Sequence, residues 1–215
     1  MIRTDSSRAA LRSILNRAAS FSAAALYEAG GRVGALPCSI KPVSPGWQVC
    51  GPAFPVLVRA GDNLWLHQAI YTAKPGDILV VSTSGHYEAG YWGEVMTRAA
   101  IHRKIRGVVI DGCCRDISVV KRLRLPIFSR GACIRSTSKE GGMGGVKLPI
   151  EIGDTKIEVG DLVRGDSDGV VVIPRVGILE TLQEAHNRVT KEANVMRMLR
   201  NGRTTMEVFG WRPPV

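Results

Sequence analysis

An α/β fold, with short mixed strands flanked by helices and a long C-terminal helix, is what this chain predicts. Three observations carry that prediction. Two short, continuously apolar runs, Ile78 to Ser82 and Val108-Val109-Ile110, read as strands buried on both faces. A helical stretch from about Gly93 to Ile105 lies between them, so the three form a βαβ unit with parallel strands. Beyond residue 145, short apolar runs alternate with the turn signals Gly153-Asp154, Gly160-Asp161 and Asp168-Gly169, before a helix over 176–200 that Gly202 stops.

The remaining elements follow in order. Residues 6–30 predict one or two helices, with Leu11, Ile14, Leu15 and Ala18 at helical spacing and Gly30-Gly31 as the stop. The Arg, Ser and Ala content of residues 1–26 also suits a transit peptide, but no cleavage-like break follows, so a first helix is expected. Pro37, Pro42 and Pro45 predict an extended loop leading to a strand near Gln48-Val49-Cys50, and Phe54 to Val58 predicts a second extended run. A helix is expected over 63–73, N-capped by Asn63, then a turn at Pro75-Gly76-Asp77. Residues 83–92 predict a loop, 117–123 a short helix, Ile127-Phe128 a strand and 131–145 a loop. Strands are expected at Lys147–Ile152, Lys156–Val159, Leu162-Val163 and Val170–Ile173, and an extended tail through Pro213-Pro214. No repeat or linker divides the chain, so 1–215 is expected to be one domain, with 1–10 and 204–215 as terminal extensions.

Composition narrows the function classes. No apolar run approaches the ~20 residues that span a bilayer. Five cysteines without a framework spacing point to free thiols in a reducing, cytoplasmic compartment. The net charge is +10, but the basic residues are scattered and the 6% of aromatics do not interleave with them. Attraction for small anions is therefore expected ahead of nucleic-acid binding.

Three places carry chemistry. The turn Gly90-Tyr91-Trp92-Gly93 opens a helix, whose free N–H groups and partial positive charge can hold a carboxylate or phosphate. The same features describe an ordinary loop-to-helix junction with Glu94 complementing the dipole. Arg115-Asp116 follows a buried strand, where ligands of βαβ units sit. There an Asp can hold a hard cation and an Arg can grip a carboxylate or developing oxyanion. Glu192 falls on the apolar side of the last helix, close in angle to Ile178, Ala185, Met196 and Leu199. It is either a stem packed at an edge with its head in water or a carboxylate turned into an interface or site. Asp166 and Asp168 lack the later Glu of a calcium loop and read as a tight turn, and Cys113-Cys114 read as small packed residues.

The chain resembles a family on specific pieces: Ile40-Lys41-Pro42, Gly51-Pro52-Ala53, Pro75-Gly76-Asp77, Trp92-Gly93-Glu94, Val109-Ile110-Asp111-Gly112 with Arg115-Asp116, and Val159-Gly160-Asp161 with Asp166 to Pro174. It is similar to the 4-hydroxy-4-methyl-2-oxoglutarate / 4-carboxy-4-hydroxy-2-oxoadipate aldolases, which share a fold with the regulator of ribonuclease E activity A. The resemblance covers roughly residues 20–203 and implies a compact α/β sandwich, assembled as a homotrimer or hexamer with sites between subunits. It implies a class II aldolase that releases pyruvate from a small anionic 2-oxo acid and decarboxylates oxaloacetate. By resemblance, the amides of Gly93, Glu94, Val95 and Met96 bind the pyruvyl carboxylate and Arg115 binds the keto oxygen. Asp116 ligates Mg²⁺ or Mn²⁺, and Glu94 and Glu192 order water around it, Glu192 from the neighbouring subunit. Two departures stand out: Cys113-Cys114 where the family commonly has Gly-Val, and the strong positive charge. The alternatives are a non-catalytic protein-binding regulator, or a lyase of this fold serving another pathway. Regulators lack the metal-binding Asp, so Asp116 discriminates.

Overall fold

The computed structural model describes residues 3–212. Helices α1 (Arg3–Ala19) and α2 (Ala23–Ala29) open the chain, followed by strands β1 (Lys41–Pro42) and β2 (Val49–Leu57). Next come α3 (Leu64–Thr72), β3 (Ile78–Ser82), β4 (Gly90–Trp92), α4 (Glu94–His102), β5 (Gly107–Asp111), β6 (Cys113–Cys114) and α5 (Ile117–Leu123). Strands β7 (Ile127–Ser129), β8 (Gly131–Ala132), β9 (Gly145–Val146), β10 (Ile150–Ile152) and β11 (Thr155–Ile157) follow. The chain continues through β12 (Leu162–Gly165) and β13 (Val170–Ile173) to α6 (Ile178–Arg200) and α7 (Thr205–Phe209).

The main sheet runs β1-β7-β5-β3-β2-β12-β13, with β9 also on β2. Its centre, β2, β3, β5 and β7, is parallel, as expected of the βαβ unit. Every residue of β3 and β5 is buried, which explains their unbroken apolar sequence. Apolar clusters fill both faces. One lies under α3, α4 and α5, one is enclosed with β10 and β11, and one lies under α1, α2 and α6.

Several predicted boundaries move for local reasons. The two runs expected near 48–58 are one nine-residue strand, because β2 changes partner midway. Val49–Pro52 pair antiparallel with β12, and Ala53–Leu57 pair parallel with β3. Pro55 has no N–H to give, but its carbonyl accepts from Lys147 N–H at 2.9 Å. Lys147 itself has φ 62°, so the strand expected from 147 begins only at Ile150. Asn63 does not cap α3 with its side chain; Asp62 Oδ1 accepts from Leu64 N–H at 2.8 Å instead. The tail expected to be extended holds α7, closed by a Thr204–Glu207 capping box. The predicted extension over Pro213-Pro214 lies outside the described residues. Asp166 and Asp168 form the expected tight turn, with Asp166 also accepting from Ala23 N–H at the start of α2.

A second, smaller sheet matters most for function. Past the carboxyl ends of β3, β5 and β7, the chain runs on into β4, β6 and β8, which pair parallel with one another. The segment expected to be a turn at 90–92 is therefore a buried strand of this sheet. Its end delivers α4, and the end of β6 delivers Arg115 and Asp116.

Candidate active site at the ends of the small sheet

The junction from β4 into α4 is fixed by its own residues. Trp92, fully buried, donates its indole N–H to Thr97 Oγ1 at 2.8 Å, and the Thr97 hydroxyl donates to the Gly93 carbonyl at 2.8 Å. Arg115 N–H donates to the Trp92 carbonyl at 2.8 Å, so the ends of β4 and β6 stay together. The glycines make room for side chains as well as for any ligand. A Cβ on Gly93 would lie 2.5 Å from Asp116 Oδ2, and one on Gly90 would press on the Arg115 side chain.

Asp116 occupies an unusual position. Its backbone is left-handed, at φ 57° and ψ 34°, a conformation that Asp tolerates better than most residues. It stands at the N-cap of α5, yet its carboxylate does not cap that helix. Oδ2 instead accepts from Glu94 N–H, at 3.0 Å, at the start of α4. Arg115 Nε lies 3.9 Å from the same oxygen, and both side chains are roughly half exposed. Glu94 is held by Arg98 at 2.7 Å, one turn along the helix.

These groups line an open cleft of about 190 Å³. Gly93, Glu94, Val95, Met96, Arg115 and Asp116, all expected from the sequence, meet there. Of the four backbone amides expected to cradle a carboxylate, that of Glu94 is engaged by Asp116. Val95 points its side chain into solvent and Met96 packs inward, so each could offer a ligand only its backbone. Their N–H groups precede the first turn's acceptors and have no helical partner.

Glu192 is elsewhere. The buried face of α6 ends with Ala185, and beyond it Val189 and Met196 are 42% and 54% exposed. Helical spacing set Glu192 on the side of Ile178, Ala185, Met196 and Leu199; Ile178 and Ala185 pack on the core, but at the level of Glu192 this side of α6 is open. Its half-exposed carboxylate pairs with Arg188 at 3.0 Å and does not line the cleft of its own chain.

Sequence reasoning missed the opposite wall: Asn63, His67, Ser136, Thr137 and Lys139. The 136–141 segment is tied down by Asp62, which is fully buried. Its carboxylate accepts from Ser138 Oγ (2.8 Å), Glu140 N–H (2.7 Å), Gly141 N–H (3.2 Å) and Leu64 N–H. Burial raises the Asp62 pKa, but these four donors outweigh it and hold the carboxyl below its usual range. Burial, and then the charge of Lys139, lower the His67 pKa, favouring neutral imidazole. Tyr91, at the floor, is pushed up by burial; its hydroxyl accepts from Gly61 N–H and meets His86 Nδ1, both at 2.8 Å. The one sequence signal for this wall was the four-residue spacing of Asn63 and His67, which puts both on one face of α3. A larger apolar hollow of about 590 Å³ on the outer side of α3 shares His67 but has no charged lining residue. The charged side chains converge in the smaller cleft.

Among the described residues, no cluster of three or more His, Cys, Asp or Glu side chains could hold a metal ion. What the cleft offers is the carboxylate of Asp116, with that of Glu94, paired with Arg98, beside it. Burial pushes the Cys114 thiol up to about 12 and is also the main cause raising Cys113, which disfavours the thiolate at both. No helix among the described residues is long and apolar enough to cross a membrane.

Comparison with known proteins agrees with this architecture. A provisionally named 4-hydroxy-4-methyl-2-oxoglutarate aldolase of Halalkalibacterium halodurans is 41% identical over 153 residues, covering 71% of this chain and 72% of that protein. An uncharacterized protein from Pseudomonas syringae superposes with TM-score 0.82 at 31% identity, covering 90% of this chain and 91% of that one. Streptomyces coelicolor RraAS2, described as an unusual member of the RNase ES inhibitor RraA family, superposes with TM-score 0.76 at 26% identity, covering 86% and 96%. The RraA-like family model, described as Aldolase/RraA, matches residues 19–172. On sequence and fold together, the chain belongs to the RraA-like family.

Proposed function

We propose that the chain is a divalent-metal-dependent class II aldolase that cleaves a 4-hydroxy-2-oxo diacid into pyruvate and a second oxo acid. Oxaloacetate decarboxylation, which leaves the same pyruvate enolate, is the expected side activity. The observation that carries this reading is Asp116. An Asp in a left-handed N-cap that leaves its own helix uncapped, and turns its carboxylate into a cleft beside Arg115, is placed for something other than local stability.

Mg²⁺ or Mn²⁺ fits the donor set. A single open carboxylate suits a hard cation that takes few protein ligands and keeps its waters. When bound, such a cation stabilises negative charge on the 2-oxo group as a Lewis acid. The chain's own residues do the rest. The free amides at the start of α4 receive the substrate carboxylate, aided by the helix dipole. Arg115 donates to the keto oxygen and stabilises the enolate as the C–C bond breaks. Lys139 adds positive charge on the far wall, where the second carboxylate of a diacid would lie. Glu94 and Glu192 order water, Glu192 from a neighbouring subunit of a homotrimer or hexamer. The uncovered apolar residues beside Glu192 on α6 support that sharing. Cytoplasmic residence is supported by five free cysteines.

The likeness to Streptomyces RraAS2 favours one other reading, a non-catalytic inhibitor of a ribonuclease. A pyruvate-release assay over 2-oxo diacids, with and without Mg²⁺, decides between them. The aldolase reading expects metal-dependent pyruvate that Asp116→Ala abolishes. Metal-independent turnover, or none with any 2-oxo acid, sinks it.

A further inference from the structure

The amino ends of β3, β5 and β7, at the other end of the strands from the cleft, gather cations that are scattered in the sequence. The three strands are neighbours in the main sheet, about 4.8 Å apart, so the turns that enter them lie side by side. Gly76 N–H donates to the Lys104 carbonyl, Arg106 N–H to the Asp77 carbonyl and Val108 N–H to the Pro126 carbonyl, each at 2.9 Å. Lys74 precedes β3, Lys104 and Arg106 precede β5, and Arg122 and Arg124 precede β7; all are exposed. Among the described residues, none of these side chains is in a salt bridge. The carboxylate in these turns, Asp77, accepts from Lys74 N–H at 2.8 Å.

Helices α4 and α5 both end here, and a cation in a last turn complements the helix dipole. That accounts for Arg122. It does not account for Lys104 and Arg124, whose backbones are left-handed at φ 58° and 60°, where glycine is the unstrained choice. Two cations therefore stand in this row at a cost in backbone strain.

A second observation is aromatic. Tyr71, in the last turn of α3, is 62% exposed. Arg103 lies over its ring, 6.0 Å from the centroid, and donates to the Tyr71 carbonyl at 3.2 Å. The same tyrosine lines the apolar hollow of about 590 Å³ on the outer side of α3. An exposed ring beside a row of unpaired cations suits a chain that alternates phosphates with flat bases. An anionic bilayer would meet the cations and leave the hollow empty, and a run of acidic side chains brings no base to stack on Tyr71. We infer that this end of the sheet binds single-stranded nucleic acid. Its phosphates follow Lys74, Lys104, Arg122 and Arg124, and one base stacks on Tyr71. The surface is separate from the cleft and does not depend on the aldolase reading.

Anisotropy of a fluorescein-labelled oligouridylate of about fifteen nucleotides, titrated with the full chain between ~50 and ~200 mM KCl, tests this. About four phosphate contacts give a slope of log K against log salt of about −3. Combining Lys104→Glu, Arg122→Glu and Arg124→Glu should weaken binding about a hundredfold and flatten that slope. The same charge change at exposed residues elsewhere, Arg12→Glu, Lys156→Glu and Arg197→Glu, should weaken it far less. Tyr71→Leu should cost about tenfold with the slope unchanged, and Tyr71→Phe should bind as the wild type does. Circular dichroism checks folding, and if the charge reversals unfold the chain, the three glutamines replace them with an expected loss of about tenfold. Absence of binding at the lower salt, equal losses in the two sets of charge variants, or an unchanged affinity in Tyr71→Leu would each overturn the inference. So would tighter capture by phosphatidylserine vesicles or by polyglutamate at the same salt.

Discussion

Two Arg–Asp pairs lie within twenty residues of each other, one closing β5 and one just past β6, and they are built in opposite ways. Asp111 ends β5 with its side chain 7% exposed and holds Arg130 at 2.6 Å, while that guanidinium stacks over Tyr87 at 3.8 Å. Arg115 and Asp116, just past β6, sit 3.9 Å apart and open to solvent. The first pair is short, buried and saturated, and it ties β5 to the segment after β7. The second is loose, and its Asp adopts a backbone conformation that helix α5 does not require. A buried saturated pair holds a fold together, whereas a loose pair in a cleft keeps charge available for a ligand. Residue type and position along the strand do not separate the two; environment does.

The largest effect that would sharpen this contrast is on activity. Asp116→Asn keeps a residue that tolerates the left-handed backbone but removes the charge. Metal-dependent pyruvate release should drop by about 10³-fold or more, on the scale of losing groups that stabilise developing charge. Urea unfolding should shift by no more than about 0.5 kcal/mol, as for other exposed sites. An active Asp116→Asn would place the two pairs in the same class.

The converse variant is Arg130→Met. It leaves Asp111 buried without its cation, which costs about 3–5 kcal/mol. The midpoint in urea should fall accordingly, while the folded fraction keeps its pyruvate release. A small stability change there would mean that the buried pair is not what joins β5 to β7.

Gly93→Ala tests the link between the open pair and α4. The backbone at Gly93 is extended and accepts alanine, but the new Cβ would meet Asp116 Oδ2. The carboxylate has to move away from Glu94 N–H. A displacement of about 1 Å costs about 10²-fold in rate, so kcat/KM should fall by that order with little loss of stability. Wild-type kinetics would show that the Asp116–Glu94 hydrogen bond is not part of the working site.

How much of this was legible in the sequence follows from how local each feature is. The strands at Ile78–Ser82 and Val108–Ile110 announced themselves because burial on both faces demands unbroken apolar residues. The start of α4 and the Arg115-Asp116 step were visible because glycines and charges stand next to each other in the chain. The single strand β2 was not, since its change of partner at Pro52 and Ala53 is decided by strands more than twenty residues away. Asn63 read as a cap because Asn favours that position; only the fold shows Asp62 taking that role and freeing Asn63 to face Tyr91. The far wall of the cleft was hidden for the same reason. Nothing local in residues 136–141 indicates that a buried carboxylate just before α3 holds them in place.

That carboxylate gives the smallest and most specific prediction, a dependence on pH. The four hydrogen bonds to Asp62 favour its ionised form, so its pKa is lower folded than unfolded. Between those two values the unfolded chain binds the proton and the folded chain does not, and stability rises with pH across that window. The contribution is complete above the unfolded value of about 3.9 and is lost as pH falls through the folded value. Asp62→Asn keeps one acceptor oxygen but no charge, so it should lose about 1–3 kcal/mol at neutral pH. Urea unfolding of both proteins at pH 7 and at several points below pH 4 reads the gap between them. It should narrow steadily with acid, because the wild-type carboxyl then resembles the amide. A gap that stays constant would mean that Asp62 holds the Lys139 wall by shape alone, and the open pair would then face a wall indifferent to charge.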